Sequence, residues 1–333
     1  MLKLRRGVVV QAGDAVARMQ RLEVDVAGER RPALGDVGLV GEAQEGDEVV
    51  LNVEARDLGL GSGGFDLVHA NLTRGLGGSG IAGAHVMKLN YTSLQHPVVP
   101  VEDERLVVPL RRPVAVCGLH GQVPALAWAF AQAAPDSRLG YVQTAGGALP
   151  GALSNVVPEL RERGMLAEHL TCGPAYGGEG EAITTIGAIH HGLGTGDWDA
   201  AVCAPGPGIL GSASALGHGG MAALDSAHAA LSLGCSTLVV ARMSEADPRP
   251  RHRGVSHHTR TVLDLLLGKV VVALPEGFDA AVDARHEVRR AQADLDGYQA
   301  SGLPTRTMGR ELRKDPSFFA AALSAGRVLA GMI

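Results

Sequence analysis

The chain has 333 residues, 46% of them hydrophobic, with a formal net charge of −5 at pH 7 and a pI near 6.2. That length is enough for two domains that bury about 75% of their unfolded surface, and the acidic balance disfavours a general nucleic-acid surface. The four cysteines, Cys117, Cys172, Cys203 and Cys235, lack CxxC spacing and sit in or beside apolar runs. They read as reduced core residues, neither a disulfide framework nor a zinc site. The N-terminal MLKLRRGVVVQAGD has no apolar core of a signal peptide, and the long uncharged stretch Ala204 to Leu224 is broken by Gly, Pro and Ser. Neither secretion nor membrane insertion is expected, and a cytoplasmic location follows as the expectation.

From Met1 to about residue 110 the sequence alternates short β-rich segments with turn signals. The segments are Val8–Val10, Leu22–Val26, Val37–Val40, Val49–Val53 and Phe65–Ala70, separated by turns such as Ala27-Gly28-Glu29 and Glu45-Gly46-Asp47. Such spacing predicts a small β-barrel or sandwich over residues 1–110. Eleven basic residues against fifteen acidic ones over this span, with few aromatics, argue against a nucleic-acid-binding barrel. Two glycine-rich loops, Gly59 to Gly64 and Gly75 to Gly83, read first as tight turns or bulges.

Past Val108-Pro109-Leu110 the pattern changes to strands alternating with helices, the signature of an open, mostly parallel α/β sheet of Rossmann-like type over residues 111–275. The predicted strands are Val114–Cys117, Leu139–Gln143, His169–Cys172, Ala200–Ala204, Cys235–Ala241 and Lys269–Leu274. The predicted helices are Pro124–Ala134, Leu149–Arg163, Glu181–Leu193, Met221–Leu233 and His257–Leu267, four of them ending at a glycine. Residues 276–333 read as a tail of two helices packed on the α/β domain. Asp315 and Pro316 begin the second helix as N-cap and first residue, and an apolar stripe runs from Phe318 to Leu329. A homodimer seam is the lesser reading of that stripe.

In such a sheet the loops after the strands' C-terminal ends share one edge, and ligands bind there at a topological switch point. Glycine and titratable groups concentrate in these exit loops: His120, then Gly146 and Gly147, then Glu179, then Pro205 to Gly220 with His218, then Asp247 to Thr259. In the last loop Pro248 and Pro250 hold the chain extended, Gly254 releases it, and Ser256 stands as N-cap ahead of Val262 and Leu263. Guanidinium forks and free helix N–H groups both favour anions, so Arg251 and Arg253, with Gly146, Gly147, Gly206, Gly208, Gly211, His218, Glu179 and His120, are the candidate ligand-binding residues. His252, His257, His258 and Asp247 are the candidates for proton transfer. The same histidines are also candidate metal ligands, with Asp247 or Glu179 in support. Against a metal stand Arg249, Arg251, Arg253 and Arg260, which would repel a divalent cation. The anion reading is therefore preferred, and no cofactor is assigned.

Several motifs point away from other chemistries. Gly206-Pro207-Gly208-Ile209-Leu210-Gly211 matches GxGxxG literally, yet it follows the fourth strand, contains a proline, and has no acidic residue about 20 positions on. There is no GxxxxGK[ST], no GxSxG, and His286-Glu287-Val288-Arg289-Arg290 lacks the second histidine of HExxH. A dinucleotide enzyme, a P-loop ATPase, a serine α/β-hydrolase and a zincin are all disfavoured.

Three stretches, Gly146-Gly147-Ala148-Leu149-Pro150, Gly206-Pro207-Gly208-Ile209 and Arg251-His252-Arg253-Gly254-Val255-Ser256-His257-His258-Thr259, carry a resemblance that extends over most of the chain. Here the sequence resembles the Domain of Unknown Function 3866 family, a group of bacterial proteins. The resemblance implies a cytoplasmic bacterial protein and brings no mechanism with it. Two expectations stand at this point: an enzyme acting on a small phosphorylated or carboxylated substrate at the sheet's C-terminal edge, or a non-catalytic protein that binds a metabolite there or assembles with a partner.

Overall fold

Five strands close into a barrel at the N-terminal end: β1 (Leu4–Val16), β2 (Met19–Val26), β3 (Glu29–Asp36), β4 (Glu48–Asn52) and β5 (Asp66–Asn71), in the order β1-β2-β3-β5-β4. Closure comes from β4 pairing antiparallel to β1, and it leaves no open edge. The structure, a computed structural model, describes residues 1–60, 63–278 and 280–333. In the glycine-rich loop Gly59 to Gly64, Gly61 and Ser62 lie outside the described residues. Alternate residues Val9, Leu22, Val24, Val49, Leu51 and Val68 fill the barrel interior. Ala27 and Gly28 turn β2 into β3 with φ of 55° and 90°, as a two-residue hairpin requires.

Two local expectations in this unit are corrected. Val37–Val40 is not a strand but one helical turn, α1, because Asp36 accepts a hydrogen bond from Gly38 N and caps it. Glu29–Asp36, not expected as a strand, is β3. Its Arg30, Arg31 and Pro32 conceal the pattern, and Arg31 is buried only because Asp66 and Asp57 bind its guanidinium. A second helical turn, α2 (Glu54–Asp57), and a hairpin of β6 (Val86–Lys88) with β7 (His96–Val98) complete the unit, which ends at Val99.

The second unit, Pro100–Ile333, is a parallel sheet covered on both faces. Along the chain run β8 (Pro113–Cys117), α3 (Val123–Ala133), β9 (Leu139–Thr144), α4 (Val156–Glu162), β10 (Glu168–Cys172), β11 (Gly180–Ala182), α5 (Thr185–His190) and β12 (Ala200–Pro205). Then follow α6 (Ala222–Ser232), β13 (Ser236–Val240), β14 (Met243–Ser244), β15 (Gly254–Val255), α7 (His257–Leu265), β16 (Val271–Pro275), β17 (Glu287–Ala291), α8 (Leu295–Ala300) and α9 (Pro316–Ala330). The sheet order is β11-β10-β9-β12-β8-β13-β16-β17. All six expected strands are present and parallel. Residues 100–110 belong to this unit, where Val101 N and Leu110 N donate to the carbonyls of Glu181 and Leu233.

Three helical expectations change. Glu287–Ala291 forms the edge strand β17 beside β16 rather than part of a tail helix. The stretch Leu149–Arg163 is a 3-10 turn, Gly151–Leu153, followed by the shorter α4, since Gly151 packs against the Gly177 carbonyl where a side chain would not fit. The stretch Glu181–Leu193 opens as β11, and α5 starts only after Thr184 caps it through Gly187 N.

One core lies between the sheet and α3, α4, α8 and α9, and the other between the sheet and α5, α6 and α7. The crossover leaving β8 therefore takes one face, while those leaving β12 and β13 take the opposite face. The exit loops of β8 and its neighbour β13 diverge to opposite faces, which makes this edge the switch point.

Candidate functional site

Beyond β13 the chain does not go straight into a helix. Short strand β14 pairs antiparallel with β15, Met243 opposite Val255 and Ser244 opposite Gly254, so the intervening loop folds back over the sheet edge. Gly254, at φ 63°, makes the reversal that a residue with a Cβ would resist. This tie sets the first turn of α7 beside Arg242, with Ser256 N donating to the Arg242 carbonyl and Arg242 N to Thr259 Oγ1. Ser256 is the N-cap, its Oγ accepting from His258 N at 3.3 Å and lying 2.7 Å from His252 Nδ1.

Four imidazoles meet there. Ring centroids are 4.3 Å apart for His257 and His258, and 4.9 Å for His252 with each of these. His218, from the loop leading to α6, stacks on His258 at 3.4 Å with rings 12° from parallel. Burial pushes all four below the usual histidine range, His252 to about 4, with the positive charge of Arg242 acting in the same direction. They are neutral at pH 7 and together offer lone pairs and N–H groups without charge. His218 Nε2 meets the Ala215 carbonyl at 3.1 Å, and Arg242 Nη1 donates to His258 Nδ1 at 3.0 Å. His218 Nδ1, His257 Nε2 and Arg242 Nη2 are buried without a hydrogen-bond partner. An unmet buried polar atom costs about 1–3 kcal/mol, so three in one cluster is an arrangement that folding alone does not favour.

Beside the imidazoles lies a lattice of ion pairs. Asp247, fully buried, binds Arg249 through both oxygens at 2.9 Å and reaches Arg310 at 3.4 Å and Arg242 at 3.6 Å. The Arg249 hydrogen bond, foremost, holds the Asp247 carboxyl far below its ordinary range. Asp315 accepts from Ser244, Glu245 N and Arg310. Three guanidiniums, Arg242, Arg249 and Arg310, thus share two carboxylates, which leaves one positive charge over. Asp247 is fixed as an anion that positions the arginines, and its role as a proton carrier is not what this geometry favours.

The structure gathers His218, His252, His257, His258 and Asp247, and separates them from other expected site residues. Arg251 and Arg253 are exposed at the mouth, with Arg253 Nε donating to the Asp247 carbonyl. Glu179 lies elsewhere. Its N–H donates to the His169 carbonyl and its carboxylate is held by Arg161 and His169 N, so it stands beside the start of β10, away from the strands' C-terminal edge. Gly146, Gly147 and Gly206 let backbones approach rather than cradle a ligand: a Cβ on Gly147 would overlap the Gly206 carbonyl oxygen, and one on Gly146 the Gly219 carbonyl oxygen. Gly208 adopts φ 69° in open space, and Gly211 bridges to His218 and fixes its loop. Arg242, Arg310 and Asp315 were not expected. Arg242 could have been found as the first charged residue past an apolar strand.

The family model described as Protein of unknown function (DUF3866) matches residues 33–326. The chain belongs to the DUF3866 family. In this DUF3866 protein the match begins within β3, so it takes in β4 and β5 of the barrel and the whole histidine–arginine cluster. No curated protein and no solved structure matches the chain. Among the described residues of the DUF3866 chain, no helix is long and apolar enough to cross a membrane.

Free space is unevenly divided at this edge. Beneath Arg242 and His258 only about 10 Å³ is open, room for one water. A cavity of about 280 Å³ opens instead at His120, between Ser154, Asn155, Glu159, Arg306 and Thr307. His120 Nε2 lies 2.8 Å from Ser154 Oγ and its Nδ1 3.3 Å from Tyr141 OH, so its ring nitrogens are already satisfied. The unmet donors and acceptors, rather than the volume, mark the cluster as the site.

His120 and His169 supply a test of burial. Desolvation lowers each to about 4. Below pH 6.5 the unfolded chain takes up protons at these rings that the fold does not, so stability present above pH 6.5 declines as pH falls toward 4. Urea unfolding between pH 7 and 4.5 should show this slope, and His169→Gln should flatten it.

Proposed function

We propose that this DUF3866 chain is an enzyme acting on a small anionic substrate, phosphorylated or carboxylated, held at the C-terminal edge of the sheet by Arg242 and the arginines around it. The carrying observation is Arg242: 4% exposed, with Nη2 making no hydrogen bond and only a 3.6 Å ion pair to Asp247, in a lattice one negative charge short. A bound anion would supply both the charge and the acceptor, in a partly desolvated setting where charge-assisted hydrogen bonds are strong. His257 and His252, neutral and adjacent, are placed to hydrogen-bond that anion or move a proton. The four cysteines are free and buried, which supports a reducing, cytoplasmic setting.

Inorganic phosphate tests the binding step. Ligand at 100 times its Kd stabilises by about 2.7 kcal/mol. Thermal unfolding with phosphate should show that protection in the wild type and its loss in Arg251→Ala and Arg253→Ala, while Arg289→Ala, on the exposed edge strand β17, retains it. Equal losses in all three would mean charge screening and no site. Turnover of small phosphate or carboxylate esters then separates the enzyme from a protein that only holds the metabolite.

A further inference from the structure

We propose that His252, His257 and His258 form a binding site for one divalent transition-metal ion of the imidazole-preferring kind, zinc above all. One ring nitrogen from each lies within 4.8 Å of the others. Closing that triangle onto an ion needs movements of about 1 Å, because zinc–nitrogen bonds of about 2.0–2.1 Å put tetrahedral ligand atoms some 3.3 Å apart.

The surroundings fit a metal better than a purely structural cluster. Metal-ligating histidines hold their second nitrogen on a hydroxyl, carbonyl or carboxylate, and His252 Nδ1 is so held by Ser256 Oγ, which leaves Nε2 as its ligand atom. His257 Nε2 is buried with no partner, as a ligand atom awaiting its ion would be. A fourth ring, His218, packs flat against His258 and limits its rotation. The ligand set is imidazole alone, since Asp247 is taken up by arginines, and that selects zinc, copper, nickel or iron over magnesium or calcium. Three protein ligands leave an open position, the arrangement of catalytic rather than structural zinc.

Only part of the nearby arginine charge stands against a cation. Arg249 and Arg310 are paired with Asp247, and Arg310 also with Asp315. Arg242 donates to His258 Nδ1, which places the single ring proton of His258 on Nε2. For Nε2 to bind a metal, that proton moves to Nδ1 and the Arg242 hydrogen bond to it ends. No proton is gained or lost, and the guanidinium is released toward an anion at the open position. Metal and anion should therefore bind cooperatively, a point that rests on the function proposed above, whereas the metal site itself does not.

The full chain, stripped with chelator, would be titrated with Co²⁺ and Zn²⁺ and followed by visible absorption and by metal analysis after dialysis. One equivalent should bind, with the absorption of tetrahedral Co²⁺. His252→Ala and His257→Ala should each lose more than the roughly 10–100-fold in affinity typical of removing an outer-shell partner, and His120→Ala should bind as the wild type does. Should an alanine variant fail to fold, zinc protection of His252, His257 and His258 against carbethoxylation in the wild type carries the test. Absence of stoichiometric metal, or equal binding by His257→Ala and wild type, overturns the metal site. Phosphate protection that persists in metal-free protein would leave the anion function standing in that event, and its loss with metal binding intact would do the reverse.

Discussion

Replacing Asp247 with alanine should lower the stability of the sheet unit by about 3–5 kcal/mol, the cost of leaving buried charges without their partner. Arg242, at 4% side-chain exposure, and Arg310, at 17%, would then face each other across an empty position with only Asp315 to balance them. Arg249→Ala takes both short side-chain hydrogen bonds from the buried Asp247 but leaves Arg310 and Arg242 beside its carboxylate, so the cost should be smaller than that of Asp247→Ala. Urea unfolding of the two variants measures the difference. Equal and small effects would show that Asp247 does not hold the arginines in place.

Gly219→Ala should be the second most damaging change. Its Cβ would overlap the backbone carbonyl of Gly146, and the neighbouring atoms are also backbone, so no flexible side chain can yield. Overpacking costs about 1–3 kcal/mol where side chains can shift, and the upper end or beyond is expected here. The loop that carries His218 would be displaced, and protection by phosphate should decline with stability. Gly208→Ala, in open space at φ 69°, should cost only about 1–2 kcal/mol and leave protection unchanged. A loss at Gly219 no larger than that at Gly208 would mean that the loops yield and that the contact with Gly146 does not constrain them.

Much of the fold was legible because it rests on local pattern. Runs such as Val114–Cys117 and Ala200–Ala204 are apolar on both faces, as buried parallel strands must be, and Ser256 before His257 is a cap by residue type alone. The edge strands were not legible. β11 is three residues long and β17 carries Glu287, Arg289 and Arg290, the charges by which an edge avoids pairing with other chains. Glu179 was misplaced for the same reason: the loop after β10 runs back to begin β11 instead of leaving for a helix. In the site, His252, His257, His258 and Asp247 lie within one short stretch and could be read together. Arg310 meets Asp247 across 63 residues and Asp315 meets Ser244 across 71, contacts that no periodicity encodes. The glycines were read for ligand approach when they serve backbone approach, two uses that look alike in sequence.

The central claim is that an anion binds at Arg242 beside the histidines. A crystal of the full chain soaked with tungstate, a heavy analogue of phosphate, tests it by anomalous scattering. A single strong peak is expected within hydrogen-bond reach of Arg242 and His257. A peak in the cavity between His120, Ser154 and Arg306, with none at Arg242, would contradict it.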